Sequence, residues 1–207
     1  MASLGVRMRL LKARDQDDMM RGHGFQRNRR HGKIAPVSWR DITLQPACRG
    51  DAPAIASMSR DLIETGLGWQ YRSERVRQLI DEPETVTLVA RDGERMIGFA
   101  IMTFGEERAH LVLLAVRPAC QRRGTARRLM QWLLASATTA GIATIHVELR
   151  AENEAAYTLY RTLGFVECLR LPGYYRGRET AVRMMRMLRA IHATDHRWHP
   201  PPRPAKA

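Results

Sequence analysis

The chain has little of what marks several large classes of protein. Its three cysteines, Cys48, Cys120 and Cys168, are odd in number and form no CxxC pair, so neither a disulfide framework nor a zinc-finger spacing is indicated. No apolar run approaches the roughly 20 residues that a membrane span needs. At the basic N-terminus only Met8, Leu10 and Leu11 are apolar, and Arg9 interrupts them, whereas a secretory leader carries a continuous apolar core. Neither GxxxxGKS/T nor a GxGxxG behind a strand is present, which argues against a nucleotide-hydrolysing site. Aromatic residues make up 6%, and no basic and aromatic stacking signature or helix-turn-helix pattern accompanies the charge. The expectation is a soluble protein of a reducing cytoplasm, with no membrane contact.

What is present is an ordinary globular composition, 44% hydrophobic and 27% charged, under a net charge of +13. That charge is unevenly placed. Residues 1–36 hold nine Lys/Arg against three Asp/Glu and residues 189–207 hold four against one, so the two ends carry most of the excess. Residues 37–188 are expected to form one domain of about 150 residues, a length sufficient for its own core. Residues 1–36, with RGHGFQRNRRHGK, read as a basic, disordered extension, and residues 189–207 as a basic Pro-rich tail. The ends suggest weak, salt-sensitive nucleic-acid contact, which the domain itself does not require.

The organising stretch is VLLAVRPACQRRGTARRLM, residues 112–130. An apolar run to Val116 ends in Arg117-Pro118, and Gln121, Arg122, Arg123, Gly124, Thr125, Ala126 and Arg127 lead into a segment of helical period. A strand, a tight basic loop and a helix fit this order. A helix N-terminus has unpaired N–H groups and partial positive charge, so such a loop can receive a phosphate or pyrophosphate. A surface loop with solvated arginines is the alternative.

The remaining elements follow from periodicity. Trp39 and Ile42 to Leu44 begin the domain as a strand. Asp51 offers an N-cap for a helix carrying Ile55, Met58, Leu62 and Ile63, which Gly66 and Gly68 end. A second helix spans 73–80, and Leu67, Trp69 and Tyr71 between the two line a substrate mouth or cover the core, core cover being favoured. Strands are expected at 85–90, 96–104 and 110–116, as a meander turning at Asp92-Gly93. A helix over 125–140 puts Leu129, Trp132, Leu133 and Ala137 on one stripe. A strand over 143–149 should then lie parallel to the strand before the loop.

Two motifs carry a resemblance. Q-x-x-G-x-A, from Gln121 to Ala126, resembles the acyl-CoA pyrophosphate loop of the GNAT family of acetyltransferases. ELRAENEAAYTLYRTLGF, residues 148–165, is similar to that family's E-x-R-x-x-N-x-x-A-x-x-L-Y-x-x-x-G-F, with Glu148, Arg150, Asn153, Ala156, Leu159, Tyr160, Gly164 and Phe165 matching. Both resemble the RimI-like N-alpha-acetyltransferases in particular, and GYYRGRETAVRMMRML from Gly173 looks like the closing β-hairpin of that branch. The resemblance covers about residues 40–188. It implies an α/β (α+β) GNAT fold, a mixed central sheet with flanking helices and a parallel strand pair that splays apart to admit a pantetheine arm.

The resemblance also implies roles. Direct acetyl transfer needs an amine that loses a proton, a stabilised thioester oxygen and a protonated leaving thiolate. Glu148 falls at the position that accepts the amine's proton, directly or through water, and Tyr160 at the one that protonates sulfur. Acetyl-CoA would be the co-substrate. Gln121 to Arg127 would hold its pyrophosphate, and the backbone of Leu114, Ala115 and Val116, with Asn153, its pantetheine arm. Read from the residues alone, Glu148 is a half-exposed strand carboxylate, Tyr160 a packed helix aromatic and Asn153 an N-cap. His110 and His146 lack a third ligand, so no metal is expected. Arg117 stands where the RimI-like proteins often carry Asp or Asn, and the helices between 51 and 80 match little, which bears on the acceptor. A protein N-terminal α-amine is the expected acceptor. A small-molecule amine, a nucleic-acid-binding protein and an acyl-CoA sensor without turnover are the alternatives.

Overall fold

The structure, a computed structural model, describes residues 42–189. Trp39, the basic extension and the Pro-rich tail beyond Arg189 lie outside the described residues. Seven strands form one mixed sheet: β1 (Ile42–Pro46), β2 (Thr85–Asp92), β3 (Arg95–Phe104), β4 (Arg108–Val116), β5 (Thr144–Arg150), β6 (Val166–Tyr175) and β7 (Glu179–Met187), in the spatial order β1-β2-β3-β4-β5-β7-β6. Helices α1 (Ala52–Leu62) and α2 (Ser73–Asp81) cover one face, and α3 (Thr125–Thr139) and α4 (Glu154–Thr162) the other. Among the described residues no helix is long and apolar enough to cross a membrane.

The two faces follow from the period of two along each strand. In β2, Val86, Leu88 and Ala90 join the core under α3 and α4, while Val89 joins the core under α1 and α2. The stripe on α3 that buries against the first of these is Leu129, Met130, Leu133, Leu134 and Ala137, with Trp132 at its edge. Complete burial of each such Leu stabilises by about 1.5–3 kcal/mol. α1 and α2 supply Ile55, Met58, Val76 and Leu79 to the other core. Both faces are therefore sealed except where the sheet itself opens.

That opening lies between β4 and β5. They pair in parallel from Arg108↔Thr144 to Leu111↔Val147, and the pairing stops there. At the same point the β3–β4 register jumps from Met102↔Leu111 to Ile101↔Leu113, so Val112 is an inserted bulge residue. Leu111 accordingly faces the core under α3 and α4 while Leu113 faces the opposite one, although they are two residues apart. β4 remains on β3 as far as Gly98↔Val116, and β5 remains on β7 as far as Arg150↔Ala181. Each strand is held by its outer neighbour, so the two diverge as a V.

Three boundaries differ from the sequence reading. α1 ends at Leu62, where the Ile63 N–H donates to the Ser59 carbonyl, ahead of Gly66 and Gly68. Asp51 precedes α1, but its carboxylate accepts from the Cys48 N–H and from Arg91 instead of capping the helix. The closing hairpin begins at Val166, seven residues before Gly173. Pro172 within β6 is accommodated because β6 is the edge strand, where proline is tolerated, and its register with β7 breaks between Leu171 and Tyr175.

Candidate active site

Two clefts enter the V from opposite sides. The first, about 530 Å³, is lined by Leu114, Ala115 and Val116 of β4. Gln121, Arg122, Gly124, Thr125, Ala126 and Arg127 line it from the loop and the first turn of α3, and Asn153 and Tyr160 from α4 and its cap. Thus the residues that the two motifs single out on this side come together in space, apart from Arg123. The left-handed residues on either side of it, Arg122 (φ 60°) and Gly124 (φ 79°), turn the chain so that Arg122 lines the cleft and Arg123 does not.

The loop has the features of an anion cradle. The first bond inside α3 runs from the Arg128 N–H to the Gly124 carbonyl, which leaves the N–H groups of Thr125, Ala126 and Arg127 without a helical acceptor. A Cβ on Gly124 would meet nothing within 4 Å, so the backbone there is open to approach. The Thr125 hydroxyl is buried with no partner among the described residues. Gln121 donates from Nε2 to the Val116 carbonyl (3.0 Å), tying the loop to the end of β4. Arg127 donates to Thr162 Oγ1 (3.0 Å), spanning from α3 to α4. Asn153 caps α4, its Oδ1 accepting from the Ala156 N–H at 3.0 Å. These features fit a pyrophosphate-bearing ligand. Cys120 is buried beside the loop, and all three cysteines are free.

The second cleft, about 720 Å³, opens between the α1–α2 loop and the β6–β7 turn. Leu62, Leu114, Asn153, Ala156 and Tyr160 line both clefts, so the two meet around Tyr160. Tyr160 is 4% exposed, stacks at a tilt on Phe165 (centroids 5.5 Å apart), and its hydroxyl bonds to no other described residue. Burial pushes its phenol well above the ordinary range, so it stays protonated.

Glu148 lies on the wall of the second cleft. Arg183, directly opposite it on β7, donates from Nε (2.9 Å) and Nη2 (2.6 Å) to Oε1, and the Tyr174 hydroxyl donates to Oε2 at 2.9 Å. Partial burial opposes the charge on Glu148, but these bonds together with the Arg183 charge outweigh it and hold the carboxyl below its usual range. His110, in register with His146, lines the same cleft, and burial lowers it below an ordinary histidine. His146 lies 3.2 Å from Thr144 Oγ1. Among the described residues no group of three His, Cys, Asp or Glu side chains is placed to share a metal ion.

The sequence reading missed Arg183 and Tyr174, because the pairing of β5 with β7, and of β7 with β6, leaves no local signal. It also favoured core cover for Leu67, Trp69 and Tyr71. Tyr71 does pack against the core under α1 and α2, but it and Leu67 also line the second cleft, and Trp69 is 38% exposed, with Arg60 and Arg72 over its ring at 5.4 and 5.7 Å. The segment is shaped by Glu64, whose buried carboxylate accepts from the Ser59 hydroxyl and the N–H groups of Gln70 and Tyr71. Arg117 lines neither cleft and donates from Nε to the Met96 carbonyl at 2.8 Å.

Comparison with known proteins agrees with this geometry. Residues 56–165 match the model of the Acetyltransferase (GNAT) family. The chain is 40% identical over 94 residues to the [Ribosomal protein bS18]-alanine N-acetyltransferase of Salmonella typhimurium, a match covering 44% of this chain and 64% of that protein. It is 30% identical over 141 residues to the N-alpha-acetyltransferase RimI of Mycobacterium tuberculosis, covering 65% and 85% respectively. The chain therefore spans slightly under two thirds of the Salmonella relative's length. Among solved structures, the ribosomal-protein-S18-alanine N-acetyltransferase from Escherichia coli superposes with a TM-score of 0.64 at 27% identity over 74% of this chain and 97% of that one. Arabidopsis thaliana NAA60 in complex with acetyl-CoA has the same TM-score at 19% identity over 71% and 98%, a likeness of fold.

Proposed function

The chain belongs to the Acetyltransferase (GNAT) family, and on that premise we propose that it transfers the acetyl group of acetyl-CoA to a protein N-terminal α-amine by direct attack. The observation that carries the reading is the meeting of the two clefts at Tyr160, one running to the anion-receptive start of α3 and the other open to solvent. Acetyl-CoA supplies the activated acyl group and a thiolate leaving group. Gln121, Arg122, Gly124, Thr125, Ala126 and Arg127 would hold its pyrophosphate, and Leu114, Ala115, Val116 and Asn153 its pantetheine arm. Arg123 is left outside this set.

The chain's own residues divide the proton traffic. Tyr160, kept neutral by burial, donates its phenolic proton at sulfur. Burial that raises a phenol raises a thiolate in the same place, so the match between donor and acceptor survives inside the cleft. Glu148, oriented by Arg183 and Tyr174, receives the amine's proton, and a water between them suits a carboxylate whose oxygens are already bonded. An α-amine of pKa near 8 needs about 1.4 kcal/mol for deprotonation at pH 7, against about 4.6 for a lysine near 10.4. This difference and the names of the relatives both favour the N-terminal acceptor. No role in the cytoplasm, on the ribosome or on nucleic acid is needed for the chemistry.

The test is mass spectrometry of a cell extract incubated with the protein and isotopically labelled acetyl-CoA. Label on N-terminal α-amines is the expected result. Label confined to small amines or to lysine side chains would overturn the acceptor, and none at all would overturn the reaction.

A further inference from the structure

The charge around the second cleft is unbalanced in a specific way. Its carboxylates are committed inside the protein. Glu64 accepts from Ser59, Gln70 and Tyr71 and Glu148 from Arg183 and Tyr174, while Glu179, outside the lining, pairs with the cleft's Arg150 at 3.1 Å. Arg150 is also committed, donating to the Thr65 carbonyl at 2.6 Å. Two further arginines line the cleft, Arg75 at the start of α2 and Arg176 in the β6–β7 turn. Neither forms an ion pair with a described residue; Arg75 has only Gln78 Oε1, at 3.3 Å.

Arg176 is placed there at a cost. Its φ is 51°, a left-handed backbone that Gly, Asn and Asp adopt far more readily than a long side chain. A residue held in that region points to a use for its side chain. Its guanidinium crosses the mouth to the α1–α2 loop, where a Cβ on Gly68 would lie 2.8 Å from its Nη2. The mouth thus presents two uncompensated guanidiniums above a floor on which every anion is already bonded.

We infer that Arg75 and Arg176 form an anion subsite of the acceptor cleft, which selects peptide N-termini carrying Asp or Glu within the first few residues and disfavours polyamines and lysine-rich starts. The inference rests on the reading of this cleft as the acceptor side. Its volume of about 720 Å³ is in the range that encloses a drug-sized ligand, enough for a short piece of peptide. Guanidinium recognises carboxylate in a bidentate fork, and cations near a bound α-amine also favour its reactive, neutral form.

The experiment compares peptides that differ only at the second residue, Ala-Glu, Ala-Gln and Ala-Lys followed by one neutral sequence, with free alanine and glutamate as additional arms. Turnover with acetyl-CoA is measured alongside calorimetric binding of each peptide to the CoA-loaded protein. The expected result is kcat/KM for the Glu peptide about 5-fold above the Gln peptide, the upper range for an exposed pair, with Lys lowest and the preference fading in high salt. Arg176→Gln and Arg75→Gln should each shrink the Glu-to-Gln ratio, Arg176→Lys should restore part of it, and Arg176→Glu should turn it toward the Lys peptide. Equal turnover of the three peptides overturns the subsite and leaves the proposed function standing. Acidic peptides that bind but are not acetylated would leave the subsite and overturn the function. Neither binding nor turnover overturns both, and a preference met only by free glutamate overturns the peptide as the source of the carboxylate.

Discussion

Tyr160→Phe separates a proton donor from a packed aromatic. The ring is 4% exposed and rests on Phe165, and both properties survive the change, since only the hydroxyl is lost. That hydroxyl bonds to no other described residue, so its removal orphans no partner, and the usual penalty of about 1–3 kcal/mol for a broken buried hydrogen bond does not arise. Stability should therefore stay within about 0.5 kcal/mol of the parent, or rise slightly, as read from the denaturant midpoint. Activity should respond in the opposite sense. A positioned general acid contributes about 100-fold or more, or roughly 2.7 kcal/mol of barrier, and the loss should appear in kcat with acetyl-CoA affinity little changed. Release of free CoA thiol, followed from pH 6 to 9.5, reports it. Wild-type kcat across that range in the folded variant would refute the role, and a large loss of stability would refute the claim that the hydroxyl is unpartnered.

Gly124→Asp keeps a residue type that tolerates left-handed backbone but puts a carboxylate into the anion cradle, so acetyl-CoA affinity should fall at least about 10-fold by calorimetry while the fold persists. Asp51→Ala leaves Arg91 and the Cys48 N–H without their buried acceptor and should destabilise by about 3 kcal/mol in chemical denaturation, without altering the Michaelis constant for acetyl-CoA. Residues 37–188 alone should fold and turn over, and any nucleic-acid binding by the full chain should weaken with salt and vanish with the basic ends; salt-resistant binding by the shortened chain would contradict this. Glu148→Gln should lower turnover most at low pH and recover as the acceptor amine deprotonates unaided.

Much of this was legible because α3 and its loop are local objects. The strand end at Val116, the turn at Gly124 and the stripe from Leu129 to Ala137 lie within about one βα unit, where spacing alone specifies geometry. The V was legible only through the motif resemblance, since its causes are nonlocal: the bulge at Val112 appears in pairing with β3, and the support of β5 comes from β7, some 35 residues later. The partners of Glu148 were hidden for the same reason. Arg183 is a plain basic residue in a strand until register puts it opposite Glu148. Local propensity gave only part of the α1–α2 segment. Tyr71 packs on the core as its apolar character suggests, but Glu64 uses its carboxylate to fold that segment back over the cleft, so Tyr71 also lines the site.

The state of Glu148 determines what a pH profile can mean. Its folded pKa is depressed, so the stability it contributes is present above its unfolded value, near 4.3, and is lost as pH falls through the lower folded one. Between pH 6 and 9.5 it is ionised whether or not substrate is bound, and a rising limb there cannot be its own titration. His110, lowered by burial, is neutral over most of the same range and is a poor source for a limb near pH 8. Tyr160, raised by burial, titrates above it. Tyr71, Tyr174 and Tyr175 are likewise raised, so within the acceptor cleft the group left with a pKa in that window is the acceptor α-amine itself. Replacing an alanine-initiated peptide by one whose α-amine has a lower pKa should therefore move the limb downward by the same amount in the parent protein. A limb that stays in place while the amine changes would mean that a protein group titrates, and would remove Glu148 as the proton acceptor.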